Sequence, residues 1–321
     1  MKSFFIDQLR PGVELLNEPF LLADLVRRKT RDGRPYILCT LRDRTGLLNG
    51  VFWDVPDYVD SWARPGLVVL VSGQTNNYKN ALQVNITDLN QAGEVDSADL
   101  LPASRRVRAE MIAELQKYID QLQTPWQDLV AHILLDEDYL KRFADAPAAR
   151  TMHHAYIGGL LEHTLSMAYI ATILADHYPY VNKDLLLAGT LLHDMGKTEE
   201  YQVDGSFGFS EDGRLVGHIV RAVTQIEKVG AELDFPAGDL RQLVHLIIAH
   251  HGNLEWGSPV KPKTVEAVLL HQIDLLDSRV QGFFDFLQDD GSDDNWTTKS
   301  SLMHGTEIRY PPNFNKDADQ T

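Results

Sequence analysis

The chain has 321 residues, more than the ~100–200 of one typical domain, and its 44% hydrophobic content is too high for a disordered chain and enough for two cores. Cys39 is the single cysteine, which excludes an intrachain disulfide and a thiolate metal cage; Asp7 and Arg10 break any leader-like apolar run, and no stretch of ~18 apolar residues occurs. A soluble, cytoplasmic protein with no membrane partner is the expectation, and the net charge of −16 argues against a simple phosphate-binding surface.

That charge is unevenly spread: residues 1–92 hold 11 Lys+Arg against 10 Asp+Glu, and residues 93–321 hold 19 against 36. Residues 1–92 read as a β domain. Pro19-Phe20-Leu21-Leu22 opens an apolar run that ends in a basic stretch, Arg27, Arg28, Lys29, Arg31 and Arg34, with a turn at Asp32-Gly33. Tyr36–Leu41, Leu47–Trp53, Leu67–Val71 and the alternating Leu82, Val84 and Ile86 follow, separated by Asp43-Arg44-Thr45-Gly46 and Tyr78-Lys79-Asn80. Four or five short strands spaced by turns predict a small barrel or sandwich. Tyr36, Phe52, Trp53 and Tyr78 could stack bases, although aromatics in a β domain more often fill its core. The basic stretch could contact phosphates or form a solvated hairpin tip.

Residues 93–106 are polar and read as a linker. From residue 107 the period becomes helical, with Met111, Leu115, Ile119, Leu122, Leu129, Ile133 and Leu134 interrupted at Pro125. Residues 107–150 form the lead-in of a helical domain extending to 290. Two helical runs split by Tyr178-Pro179 are expected over 160–197, and others over Val216–Val229, Leu240–His250 and Val265–Leu287. The tail, 291–321, is acidic, polar and expected to be mobile. The layout is a β domain, a linker and an all-α domain, without internal repeats.

Eleven of the 12 histidines lie beyond residue 150. The clearest signal is His193-Asp194, at the end of an apolar helix and just before Gly196. Burying both costs several kcal/mol unless something pairs them, and a divalent cation would offset both. Adjacent side chains on a helix diverge by ~100°, so the pair needs partners from elsewhere. His163, His218, His250, His251 and Asp274 are available. Imidazole and carboxylate without thiolate suit Mn, Fe, Co, Ni or Zn, with Mg at an oxygen-rich position. Two such ions can activate water and stabilise the leaving oxygen in a phosphoester displacement, and bound cations reverse an acidic field around a phosphate. Structural alternatives stand beside this reading. His193-Asp194 could hydrogen-bond a helix end, His218 could be structural, and one of His250 and His251 could orient the other. His153 and His154 could contact substrate or start a helix, and Lys197 could be catalytic or a surface lysine. His245 and His271 read as packed or solvated.

The order His163, His193-Asp194, Asp274 resembles the HD-domain phosphohydrolase superfamily, with His218 and His250-His251 at the extra positions that go with a second metal. The resemblance implies a helical HD bundle, a bridging and catalytic Asp194, and a Lys197 that positions or protonates phosphate. Joined to the β part, it looks like the YhaM-type 3′-to-5′ exoribonucleases of bacteria. Arg34–Ile37, Leu41–Gly46, Phe52-Trp53-Asp54, His153–Thr164, His250-His251-Gly252 and Glu255–Pro259 carry that likeness, over residues 15–285. It implies an OB-like barrel and two divalent ions, Mn foremost. It further implies removal of 5′-mononucleotides from the 3′ end of single-stranded RNA, with single-stranded DNA a second candidate. Arg27, Arg28, Lys29, Arg31, Arg34, Tyr36 and Trp53 are the candidate nucleic-acid contacts. A homo-oligomer is compatible with the sequence. The alternatives are an HD phosphohydrolase of a small or cyclic nucleotide with a regulatory β domain, and a single-strand-binding module on a metal-stabilised scaffold.

Overall fold

The computed structural model describes residues 2–30, 32–78, 81–93, 99–149, 154–203, 207–289, 295–299, 305–312 and 314, so Arg31 and His153 lie outside the described residues. The chain divides into two units, residues 1–103 with 202–208, and 104–201 with 209–321.

The first unit contains a closed barrel of β1 (Glu14–Lys29), β2 (Pro35–Asp43), β3 (Gly46–Trp53), β4 (Val68–Tyr78) and β5 (Ala81–Gln91). The order around it is β1-β2-β3-β5-β4, and every pairing is antiparallel except the parallel β3–β5. Alternate residues point inward, so Phe20, Leu22, Ile37, Cys39, Leu41, Leu48, Val69, Val71, Val84 and Ile86 fill the interior. Phe52 joins them, which removes it from the candidate base-stacking residues. Before β4 the chain makes α1 (Asp57–Trp62), too short for a helical period to be visible in the sequence. Leu100 and Leu101, in the stretch expected to be a polar linker, are buried.

Closing five strands requires sharp bends. The register shifts between Leu15 and Glu18, between Leu22 and Asp24, and between Ser72 and Gly73. Such irregularities add local twist and bend the strand. At Gly73 a Cβ would sit 2.2 Å from the Asn85 carbonyl oxygen, so only glycine lets β4 close on β5.

The second unit is helical: α2 (Arg108–Ile119), α3 (Trp126–Leu134), α4 (Glu137–Asp145), α5 (Gly159–His177), α6 (Lys183–Leu192), α7 (Lys197–Glu200), α8 (Glu211–Leu215), α9 (His218–Glu232), α10 (Ala237–Ala249) and α11 (Val265–Asp289). A short hairpin, β6 (Tyr201–Val203) and β7 (Phe207–Phe209), comes between α7 and α8 in the chain. Helix α6 is the centre of this unit. The Asn182 side chain caps it by accepting the Leu185 N–H, and every residue from Leu185 to Leu192 is buried. It packs on α3, α5, α10 and α11, so whatever follows Leu192 starts in the interior. In the tail, Trp296 bridges Arg309 and the Thr297 N–H donates to Ile308 O at 2.9 Å. No described helix is long and apolar enough to cross a membrane.

Gly73→Ala should destabilise the barrel by about 1–3 kcal/mol, because the carbonyl it meets is backbone and must shift with its strand. Amide hydrogen exchange checks this: protection should fall in β4 and β5 and hold in α5 and α6.

Candidate metal centre

His193 follows the last residue of α6, and its Nδ1 lies 2.8 Å from Thr190 O. His250 repeats the arrangement after α10, with Nδ1 2.6 Å from Ile247 O. Each ring satisfies one of the carbonyls that a helix end leaves open. A carbonyl can only accept, so Nδ1 carries the proton and the neutral ring keeps its lone pair on Nε2. Two helix C-termini therefore present imidazole lone pairs beside their own partial negative charge, which favours a cation. His251 follows the same logic, with Nδ1 3.0 Å from Trp256 O.

From His193 the chain turns into α7. At Gly196 a Cβ would lie 2.1 Å from His218 O, so glycine lets the start of α9 come up against this turn. His218 Nδ1 sits 2.9 and 3.0 Å from the two Glu200 oxygens. His163, in the second turn of α5, is bracketed by two carboxylates one turn apart on α11. Its Nδ1 is 2.7 Å from Asp277 Oδ2, and its Nε2 is 3.4 Å from Asp274 Oδ1.

Asp194 stands in the middle. Its Oδ1 is 3.6 Å from His218 Nε2 and 3.6 Å from His250 Nε2; its Oδ2 is 3.2 Å from His193 Nε2 and 4.0 Å from His163 Nε2. Asp194 Oδ1 and the Nε2 atoms of His193, His218 and His250 are buried without a hydrogen-bond partner. The 3.2 Å approach of His193 Nε2 to Asp194 Oδ2 has no hydrogen-bond alignment. Lone pairs aimed at a carboxylate repel it, and a cation among them removes both the repulsion and the unmet desolvation. The donor atoms form two groups, each within 4.8 Å: His163, His193 and Asp274, and His218, His250 and His251. Asp194 presents one oxygen to each. This set of imidazoles and carboxylates fits divalent ions of borderline hardness.

The charges follow from burial and neighbours. Burial alone would raise the Asp194 carboxyl, but the Lys197 ammonium beside it holds it well below the ordinary range. Burial would lower Lys197, yet Asp194 at 2.6 Å keeps the ammonium charged above its usual value. Lys197 is thus a half-buried partner of Asp194, with its side chain 12% exposed, and not a free surface lysine. For His163, burial is outweighed by Asp274 and Asp277, which lift it to about 9. Burial and the neighbouring His250 push His251 down to about 4, so it is neutral at pH 7.

His154 is not placed to contact substrate. Only 2% of it is exposed, and its ring nitrogens lie 3.2 Å from Asp277 Oδ2 and 2.7 Å from the Tyr156 hydroxyl. Glu200 and Asp277 were not singled out from the sequence. Asp277 carried a usable signal, standing one helical turn beyond Asp274; Glu200 had none apart from its place three residues after Lys197.

On the barrel, the strand registers set Arg28 opposite Tyr36 and Tyr36 opposite Trp53, on the face away from Ile37 and Phe52. The Tyr36 and Trp53 rings stack at 4.7 Å, with Trp53 51% exposed. Arg28 and Lys29 are exposed. Arg27 is committed elsewhere. Its guanidinium donates to the Asp60 carboxylate and to the carbonyls of Asp60 and Ala63, tying β1 to α1. Arg34 pairs with Asp32 and Asp54 at the exposed edge.

Comparison with known proteins places these parts in a family. The HD domain matches residues 160–279, and the OB-fold nucleic acid binding domain matches residues 20–92. The chain is 35% identical to the 3′-5′ exoribonuclease YhaM of Geobacillus sp. (strain WCH70), over 81% of each chain. It is 33% identical to the YhaM of Bacillus velezensis and 32% to that of Bacillus subtilis (strain 168), in both cases over 83% of this chain and 86% of the relative. A barrel of OB type, an HD domain with converging imidazoles and carboxylates, and this identity over four-fifths of the length agree: the chain belongs to the YhaM family of 3′-5′ exoribonucleases, metal-dependent hydrolases.

Proposed function

We propose that the protein shortens single-stranded RNA from its 3′ end, releasing 5′-mononucleotides, with two Mn²⁺ ions bound around Asp194. The observation that carries this reading is the set of three buried, unpartnered imidazole nitrogens converging on that carboxylate, whose own Oδ1 is also unpartnered. His163, His193 and Asp274 would hold one ion, His218, His250 and His251 the other, with Asp194 shared. Ions held there would supply an activated water and would neutralise charge on the leaving oxygen. Lys197, protonated and paired with Asp194, keeps that carboxylate ionised and oriented. Its ammonium would also be available to donate to a phosphate oxygen.

Arg28, Tyr36 and Trp53 form a row suited to a single strand: a stacked aromatic pair for a base face and an exposed guanidinium for a phosphate. Stacking reads the base face and not the ribose, so single-stranded DNA fits the same row.

Three outcomes test the proposal. With 5′-labelled single-stranded RNA and Mn²⁺, the label should appear in a ladder that shortens from the 3′ end, and a chelator should stop it. Asp194→Asn should slow it by about 10²–10⁴-fold, the rate equivalent of several kcal/mol. Intact RNA alongside turnover of a free or cyclic nucleotide would instead favour the small-nucleotide reading.

On the barrel, Trp53→Ala should weaken RNA binding by about 1–3 kcal/mol, and Arg28→Ala should reduce the salt slope by about 0.7. Arg27→Ala should lower the melting temperature and leave the salt slope unchanged. Binding titrations at several salt concentrations check both.

Metal uptake should depend on pH. His163 must lose a proton to become a ligand, and in the metal-free chain it holds that proton up to about 9. Below this pH the ion competes with the proton, so Mn²⁺ affinity should rise about tenfold per pH unit and level off above it. Calorimetric titration between pH 6 and 9.5 measures the slope; a flat profile contradicts it.

A further inference from the structure

The five histidines around Asp194 differ in what stands behind them. His193, His250 and His251 lean on the backbone carbonyls of Thr190, Ile247 and Trp256. His163 and His218 lean on side-chain carboxylates, Asp277 and Glu200. Each carboxylate is itself held in place. The Ser166 hydroxyl donates to Asp277 Oδ1, and His154 Nε2 lies 3.2 Å from Asp277 Oδ2. His154 is fixed in turn: its backbone is left-handed, with φ at 56°, and its other nitrogen meets the Tyr156 hydroxyl, which donates to Glu162 at 3.0 Å. Glu200 Oε1 accepts the backbone N–H of His218 at 3.3 Å as well as its ring.

His154, His163 and Asp277 come close enough together to hold an ion of their own. Their contacts argue otherwise. His154, Asp277, Ser166 and Glu200 leave no buried side-chain atom without a partner among the described residues, in contrast to the atoms around Asp194. They form hydrogen-bonded assemblies behind two of the rings. A fixed carboxylate on Nδ1 sets the ring plane, leaves the lone pair on Nε2 and increases its basicity.

We propose that Asp277 and Glu200 are positioning residues, one for each ion. Asp277, backed by Ser166 and His154, orients His163 toward the ion shared with His193 and Asp274. Glu200 orients His218 toward the ion shared with His250 and His251. This rests on the two-ion reading above and adds that the two halves of the centre can be weakened separately.

The test titrates Co²⁺ into metal-free full-length protein and follows its visible absorption, in which donor sets of two and three imidazoles give distinct bands. Asp274→Ala and His251→Ala serve as references, each removing a proposed ligand from one side only. Asp277→Asn should weaken, by about 10–100-fold, the phase that Asp274→Ala removes. Glu200→Gln should weaken to the same extent the phase that His251→Ala removes, and each variant should leave the other phase intact. Glu200→Asp, which keeps the acceptor, should recover part of the loss. If Asp277→Asn fails to fold, Ser166→Ala carries the same expectation at smaller size. Wild-type affinity in both phases, or equal weakening of both by either variant, overturns the assignment. Wild-type protein that takes up no Co²⁺ overturns the two-ion reading itself.

Discussion

A carboxylate buried among imidazole lone pairs is an arrangement that protein folding alone disfavours, and the helical unit is organised around one. Helix α6 is buried from Leu185 to Leu192, so His193 and Asp194 begin in the interior. The carbonyls at the ends of α6 and α10 take the Nδ1 protons of His193 and His250, which turns both Nε2 lone pairs toward Asp194. Each buried polar atom left unpaired costs about 1–3 kcal/mol. Lys197 compensates part of this in the metal-free chain by pairing with Asp194 Oδ2, but Oδ1 remains unpartnered. Cations bound here would remove that penalty, and metal binding and stability would then be coupled.

The acidic composition, awkward at first for a nuclease, resolves along the same line. The barrel is close to neutral and offers stacking surface, which needs little net positive charge. In the helical unit the carboxylates of Asp194, Asp274, Asp277 and Glu200 stand at the centre, a local field that suits divalent ions and that those ions would reverse for a phosphate. Strong negative charge and phosphate chemistry are therefore compatible within one chain.

Much of this was legible in the sequence where local signals sufficed. His193-Asp194 before Gly196, at the end of an unbroken apolar run, reads as a buried polar helix end, and turn pairs marked most of the barrel's strands. What escaped depended on three-dimensional partners. Arg27 and Arg28 are adjacent, and because strand side chains alternate, register alone decides that one ties α1 to the barrel while the other faces solvent beside Tyr36. The bulge between Leu22 and Asp24 carries β1 on past the apolar run into the basic stretch. His154 resembles a polar helix start until its burial behind His163 is seen, and Glu200 acquires meaning only through a ring eighteen residues later.

The central claim is that two divalent ions occupy the space among these unpartnered atoms. Anomalous diffraction at the Mn edge from crystals grown with Mn²⁺ tests it most directly. Two peaks are expected per chain, one in contact with His163, His193 and Asp274 and one with His218, His250 and His251, with Asp194 touching both. A map without peaks beside Asp194, at Mn²⁺ concentrations that support activity, would contradict it.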